Sequence, residues 1–255
     1  MRFGSMVAAG LFAATVAAGQ TADELIEKNI AARGGYEKLK AVRTMRLIGT
    51  IKAGDQSLPS ALELKRPNKS RWEFLLDGQT GIQAFDGKEG WTFIPFEGQT
   101  EPQPMGDEER VEAEQQADLD GPLVDYKQKG EKVELVDHDP KYRPDDWKLK
   151  VTLKTGEVRY VYLDPKTFLQ TATITKRKID GIDVEVRSEV GDYRKVGDLV
   201  LPHSFQAIAK GGGPPQSIQF ETIELNVPID DSRFAMPEPK KPSVSPGTEP
   251  TPTVG

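Results

Sequence analysis

The stretch that decides the fold runs Lys65-Arg66-Pro67-Asn68-Lys69-Ser70-Arg71-Trp72-Glu73-Phe74-Leu75-Leu76, and continues through Asp86-Gly87-Lys88 to Trp91, Phe93, Pro95 and Phe96. Trp72, Phe74 and Leu76 alternate with Arg71 and Glu73. Trp91, Phe93 and Pro95 form a second alternating row, and just upstream Leu62 and Leu64 alternate with Glu63 and Lys65. A period of two is what a half-buried β-strand requires. The rows read as consecutive antiparallel strands whose large apolar groups all project to one side. A single arginine, Arg66, stands at a proline-marked strand end.

Towards the N-terminus the period changes to that of a helix. Leu25, Ile26, Ile30 and Ala31 recur at helical spacing behind Asp23, the expected cap, and Gly34-Gly35 stops the run. Tyr36 to Val42 gives one or two further turns, and strands begin at Thr44. Beyond Phe96, Pro102 to Gly121 breaks the alternation. Its acidic centre, Asp107 to Asp118, has one β-branched residue, Val111, and reads as a polar helix. Gly121-Pro122 then opens a short amphipathic piece, Leu123-Val124-Asp125-Tyr126.

Strands resume at Lys132 to Val136, followed by Trp147-Leu149-Val151-Leu153 set against Lys148, Lys150 and Lys154, and by Val158-Tyr160-Tyr162 set against Arg159. Turn chemistry joins them at Lys154 to Glu157, Asp164 to Thr167 and Asp180-Gly181. Leu199 to Ala209 and Ser217 to Ile223 form the last long pair, linked through Gly211 to Pro215.

The predicted architecture is therefore mainly β with α: one long antiparallel meander, an N-terminal helix and one helical insertion. Such a sheet must cover its apolar face. Two short helices cover it partly, which describes an unclosed half-barrel with helices across its mouth and a cavity beneath. A fully packed sandwich produces similar alternation.

Composition limits what this scaffold does. The 255 residues are 36% hydrophobic and 29% charged, with a formal charge of -6, which argues against nucleic acid as a partner. Arg2 precedes an unbroken small or apolar run from Met6 to Ala18, and Val16-Ala17-Ala18 offers a cleavage point before Gly19. Residues 1–18 are expected to be an export signal, with an uncleaved anchor as the alternative. The chain has no cysteine, so neither a disulfide nor a lipidation site is available. Residues 238–255, rich in Pro, Ser, Thr and Lys, are expected to be disordered. The domain between, 19–237, is expected to be periplasmic and monomeric.

The reactive residue types form no convincing catalytic set. Ser204 follows His203, but strand neighbours point to opposite faces and make no dyad. His203, between Leu201 and Phe205, reads as a satisfied sheet histidine, and His138 sits in a polar loop without a second ligand nearby. Asp107-Glu108-Glu109 with Glu112 and Glu114 lacks the alternating ligands and loop glycine of a calcium site. Gly211-Gly212-Gly213 precedes prolines rather than a helix that would present amides to phosphate. No enzyme activity, metal or cofactor is expected.

The block from Lys65-Arg66-Pro67-Asn68 through Trp72, with Asp86-Gly87-Lys88, Trp91, Phe93, Pro95 and Phe96, resembles the LolA-type lipoprotein carriers. Val227-Pro228-Ile229-Asp230-Asp231-Ser232-Arg233-Phe234-Ala235-Met236-Pro237 is similar to their closing segment. Arg194 to Pro202, with Gly197 and Leu201-Pro202, is similar to proteins grouped as outer-membrane lipoprotein-sorting proteins. The likeness covers roughly Ala22 to Pro237. It implies an unclosed antiparallel barrel with an apolar concave face, lidded by helices, that takes up acyl chains.

On matching positions, the resemblance makes Arg66 the clamp that hydrogen-bonds lid backbone in the empty state, and Pro122 to Tyr126 a lid helix. Lys69 and Ser70 stand where the carriers have apolar residues. The expected lipid-facing set is Leu62, Leu64, Trp72, Phe74, Trp91, Phe93, Leu123, Tyr126, Tyr160 and Tyr162. The expected ligands are lipoprotein acyl chains or other lipids, with inner- and outer-membrane donor and acceptor proteins as partners. The alternative implied by the same fold is an envelope-stress sensor that binds a membrane-anchored protein.

Overall fold

The computed structural model describes residues 20–179, 182–209 and 215–238. The expected signal segment, the tail beyond Glu238, and the turns at Asp180-Gly181 and Gly211–Pro214 lie outside these. Helix α1 (Ala22–Ala32) is capped by Thr21: its Oγ1 accepts from Glu24 N at 3.2 Å, and Glu24 Oε2 accepts from Thr21 N at 2.9 Å. This reciprocal box displaces Asp23 from the expected capping role. Asp23 instead accepts from Tyr126 Oη at 2.6 Å and Lys127 Nζ at 3.1 Å. Helix α2 (Tyr36–Ala41) follows the Gly34-Gly35 break.

Among the described residues thirteen strands then form one antiparallel sheet: β1 (Thr44–Ala53), β2 (Gln56–Lys65), β3 (Lys69–Leu76), β4 (Gln79–Phe85), β5 (Gly90–Phe93), β6 (Gln103–Pro104), β7 (Lys132–Val136), β8 (Trp147–Thr152), β9 (Val158–Leu163), β10 (Gln170–Ile179), β11 (Ile182–Val196), β12 (Leu199–Ala209) and β13 (Gln216–Leu225). The order is 6-5-4-3-2-1-13-12-11-10-9-8-7. Two meanders therefore meet where β1 pairs with β13, and β6 and β7 are left as edges, so the sheet is an open half-barrel rather than a closed one. The β1–β13 pairing shifts register between Ile48 and Gly49, where a Cβ on Gly49 would lie 2.1 Å from Gln219 O. Only glycine permits that approach.

The helices cover the concave face. Leu39 and Val42 pack on Met45, Leu47, Leu62, Leu64, Leu201, Phe220 and Ile223. Leu25 and Ile26 of α1 pack on Val133, Leu149, Val151 and Val161. Leu123 and Val124 are adjacent, and Val124 joins the first core while Leu123 joins the second. Their segment is a succession of turns, with Asp125 at φ +55°, rather than the expected lid helix. A left-handed residue at that point interrupts helical hydrogen bonding. The polar helix is present as α3 (Asp107–Gln116); Ala113 and the following Ala117 pack on Phe85. Among the described residues no helix is long and apolar enough to cross a membrane.

The aromatic rows do not share one face. Directly opposed residues in a sheet project to the same side. Leu47, Leu62, Trp72, Gln83 and Thr92 are paired in one row across β1 to β5, on the helix-covered side. Arg46, Glu63, Arg71, Ala84 and Trp91 form the neighbouring row, and Glu73, Ile82 and Phe93 the next but one, both on the convex side. Trp91 and Phe93 therefore face away from Trp72 and Phe74.

The same parity separates Val161, which packs under α1, from Tyr160 and Tyr162. Those two tyrosines lie on the convex side, Tyr162 packing with Tyr142, Ala172 and Ile174. Alternation within one strand is local, but the face it selects depends on hairpin register, which is set by the turn.

The convex side has its own cover. The segment after β13 crosses β1 to β5: Lys65 Nζ donates to Ile229 O at 2.6 Å, Arg71 Nη1 to Arg233 O at 2.7 Å, and Trp91 Nε1 to Phe234 O at 2.9 Å. Arg233 bonds Glu63 and, at 2.9 Å, Glu73. Phe234 is fully buried and Trp91 is 2% exposed.

Candidate functional site

The ends of β2, α2 and the turn segment meet at Arg66, just before a cis peptide bond to Pro67. Its Nε donates to Val42 O at 2.7 Å and Nη2 to Leu39 O at 3.2 Å, carbonyls at the C-terminal end of α2. Leu39 O also accepts from Val42 N at 3.3 Å, and the guanidinium adds favourable charge at this helix end. Nη1 also donates to Asp120 Oδ2 at 2.8 Å, and Nη2 to Asp120 Oδ1, making a bidentate pair.

Asp120 gathers further cations. Lys40 Nζ reaches its Oδ2 at 2.8 Å and Asp125 Oδ2 at 2.9 Å, while Arg33 Nη1 donates to Asp120 O at 3.0 Å. Burial alone would raise the Asp120 carboxyl, but the hydrogen bonds from Arg66 and Lys40 outweigh it and hold it at about 2. Three chain segments are thus tied through one buried carboxylate. Sequence reading did not single out Asp120, because it is one of 40 acidic residues and its only local mark is the Gly121-Pro122 that follows.

Two cavities lie along α3, the first of them at this knot. The first, about 430 Å³, lies between α3 and the turn segment and is walled by charged side chains, including Arg66, Asp118, Asp120, Lys129 and Glu131. The second, about 570 Å³, lies between α3 and the concave strands. Its floor carries Ser70, Trp72, Gln83 and Thr92; Met105, Glu109, Ala113 and Gln116 line the α3 side. Arg159 lines both cavities and pairs with Glu157 at 2.9 Å. This lining mixes apolar surface with hydrogen-bonding groups.

The residues expected to face lipid are distributed as follows. Leu62 and Leu64 are buried in the core beneath α2, with Trp72 packed partly against them. Phe74 is half-buried and meets Phe96 edge to face at 5.8 Å. Leu123 is buried beneath α1, and Tyr126 packs at the margin of that core. Trp91, Phe93, Tyr160 and Tyr162 lie on the convex side. Only Trp72 of the expected set lines the cavity under α3. Buried His203 has Nδ1 3.0 Å from Leu201 O, and His138 Nδ1 lies 2.8 Å from Asp146 O.

No protein-family model matches this sequence, and no curated protein matches it. Solved structures do resemble it. A LolA superfamily protein from Nitrosomonas europaea is 14% identical, with a TM-score of 0.57 over 85% of this chain and 98% of that one. A domain described as that of an outer membrane lipoprotein-sorting protein, from Vibrio parahaemolyticus, is 9% identical, with a TM-score of 0.53 over 82% of this chain and 97% of that one. A DUF1329 family protein from Desulfovibrio piger is 11% identical, with a TM-score of 0.51 over 84% and 96%. At these identities the likeness is one of fold: the chain has the LolA-like half-barrel.

Proposed function

We propose that this chain is an exported, non-enzymatic carrier that shelters acyl chains of lipoproteins or other lipids against its concave face and moves them toward the outer membrane. The observation that carries this reading is the way the concave face is roofed. Helix α3 presents only Ala113 as a buried residue, and α2 is pinned at its C-terminal carbonyls by Arg66. Helix α3 therefore lifts at small cost compared with the strands beneath it, whereas α2 also buries Leu39 and Val42 in the core.

The energetics suit a switch. Each methylene exposed to water costs about 0.8 kcal/mol, so sheltering a long acyl chain outweighs the few hydrogen bonds, each about 1 kcal/mol net, that hold a lid. A cargo that binds only the open state shifts the equilibrium by its differential affinity. Arg66 would then hold the empty form closed until acyl chains displace α2 and the turn segment.

Native mass spectrometry of the protein recovered from its host's periplasm tests the reading. Co-purified lipid or lipoprotein is expected. A stoichiometric protein partner without lipid would replace the carrier by the sensor. In a reconstituted transfer assay Arg66→Leu is expected to alter loading and release, and unchanged kinetics would remove the clamp role.

A further inference from the structure

The cavity of about 570 Å³ under α3 is walled mostly by hydrogen-bonding side chains, which sets it apart from the two apolar cores. Glutamine recurs among them. Gln83 stands directly opposite Trp72 on the concave floor, Gln116 ends α3, and Gln216 opens β13. Gln83 and Gln116 are half-buried and Gln216 is exposed. Among the described residues none of their side-chain amides has a hydrogen-bond partner or is closed off from solvent. Gln115 differs, since its Nε2 donates to Glu157 Oε2 at 3.2 Å.

An acyl chain seated here would cover the three amides and return none of the hydrogen bonds they make to water. Each amide offers two donor hydrogens and an acceptor oxygen, and the group that matches both is a hydroxyl. Trp72 supplies the complement, a flat half-buried ring on the floor that suits the C–H face of a sugar. Charge points to a neutral guest. The carboxylates of Glu109 and Glu112 repel an anion but accept from a hydroxyl, and Arg159 is already held by Glu157 at 2.9 Å. Ligand cavities span about 300–1,000 Å³, so this one has room for a disaccharide.

We infer that the cavity under α3 is a binding site for a neutral saccharide of disaccharide size, stacked on Trp72 and hydrogen-bonded by Gln83, Gln116 and Gln216. This goes beyond the carrier reading, in which acyl chains displace α2 and the turn segment.

The test is a titration of the purified, isotope-labelled protein with cellobiose, maltose and chitobiose. Heteronuclear magnetic resonance reads glutamine side-chain amides and tryptophan indoles directly. At least one disaccharide is expected to shift the Gln83 and Gln116 amides and the Trp72 indole, with a dissociation constant of about 1 mM or below. Gln83→Ala and Gln116→Ala should each weaken binding about fivefold, the effect of one net hydrogen bond. Trp72→Ala should weaken it about tenfold. Gln116→Ala serves if Trp72→Ala does not fold, because Gln116 is only half-buried at the end of α3.

If none of the three disaccharides moves these signals, the inference is overturned. Binding that persists unchanged in all three variants would place the saccharide elsewhere and overturn the assignment to this cavity. Palmitate moving the same signals where the disaccharides do not would give the cavity to the acyl carrier and overturn the saccharide site while leaving the carrier intact.

Discussion

Arg66 serves two kinds of acceptor at once, and the consequences of its loss follow from what it would strand. Asp120 has a side chain only 4% exposed, and Arg66 supplies its bidentate partner. Arg66→Leu leaves that carboxylate with Lys40 and leaves the α2 carbonyls without their guanidinium. The expected loss is about 3 kcal/mol, at the lower end for breaking a buried pair, read from denaturant unfolding. A fall below measurement error would show that Lys40 carries the site.

The pH dependence has a definite sign. The folded Asp120 value of about 2 lies below the ordinary 3.8, so the contribution is complete above that ordinary value and is lost as pH falls through the interval. Asp120→Asn should remove this part of the acid-unfolding curve, followed by far-ultraviolet circular dichroism. Arg66 stood out in the sequence because a proline marks its strand end. Asp120 did not, since an acidic residue becomes a hub only when distant cations converge on it.

Among the elements, α3 and the C-terminal strap show how differently two covering segments are held. Ala113 is the one buried residue of α3, and its first turn is acidic and solvent-facing. Amide hydrogen exchange is therefore expected to be far faster in α3 than in β8 and β9, whose Leu149, Val151 and Val161 are fully buried. Equal protection would argue against α3 as the moving roof.

The strap is anchored by Phe234, and Phe234→Ala should cost about 3–5 kcal/mol. It should also red-shift the emission of Trp91, read with Trp72 and Trp147 replaced by Phe. An unshifted spectrum would mean that the strap holds without its anchor. The sequence revealed α3 through its polar run and the strap through its likeness to a closing segment. It did not reveal that the strap lies over Trp91, because that contact joins residues 143 positions apart.

At the scale of the whole molecule, the open sheet keeps two cores separate. The core under α2 and the core under α1 are joined by adjacent Leu123 and Val124, while the cavity under α3 lies against β3 to β5. A lipid that binds this folded arrangement and not the unfolded chain must stabilise it. At roughly 100 times the dissociation constant the gain is about 2.7 kcal/mol, visible as a rise in melting temperature with added lipid. No rise under saturating lipid would contradict binding to the folded state.

Most of the strands, the helical insertion, and an antiparallel meander too poorly supplied with helices to be closed by them were legible in the amino-acid order, though not the short edge strand β6. Those properties depend on local periodicity and turn chemistry, which neighbouring residues carry. Tertiary structure alone decided which face each row occupies. One residue of register reverses a strand's two sides, and so Trp72 lines the cavity while Trp91 lies beneath the strap. It also decided that Asp120 would join Arg66, and that Gln83 and Gln116 would meet Trp72 around one cavity, because burial and partnership belong to the packed chain.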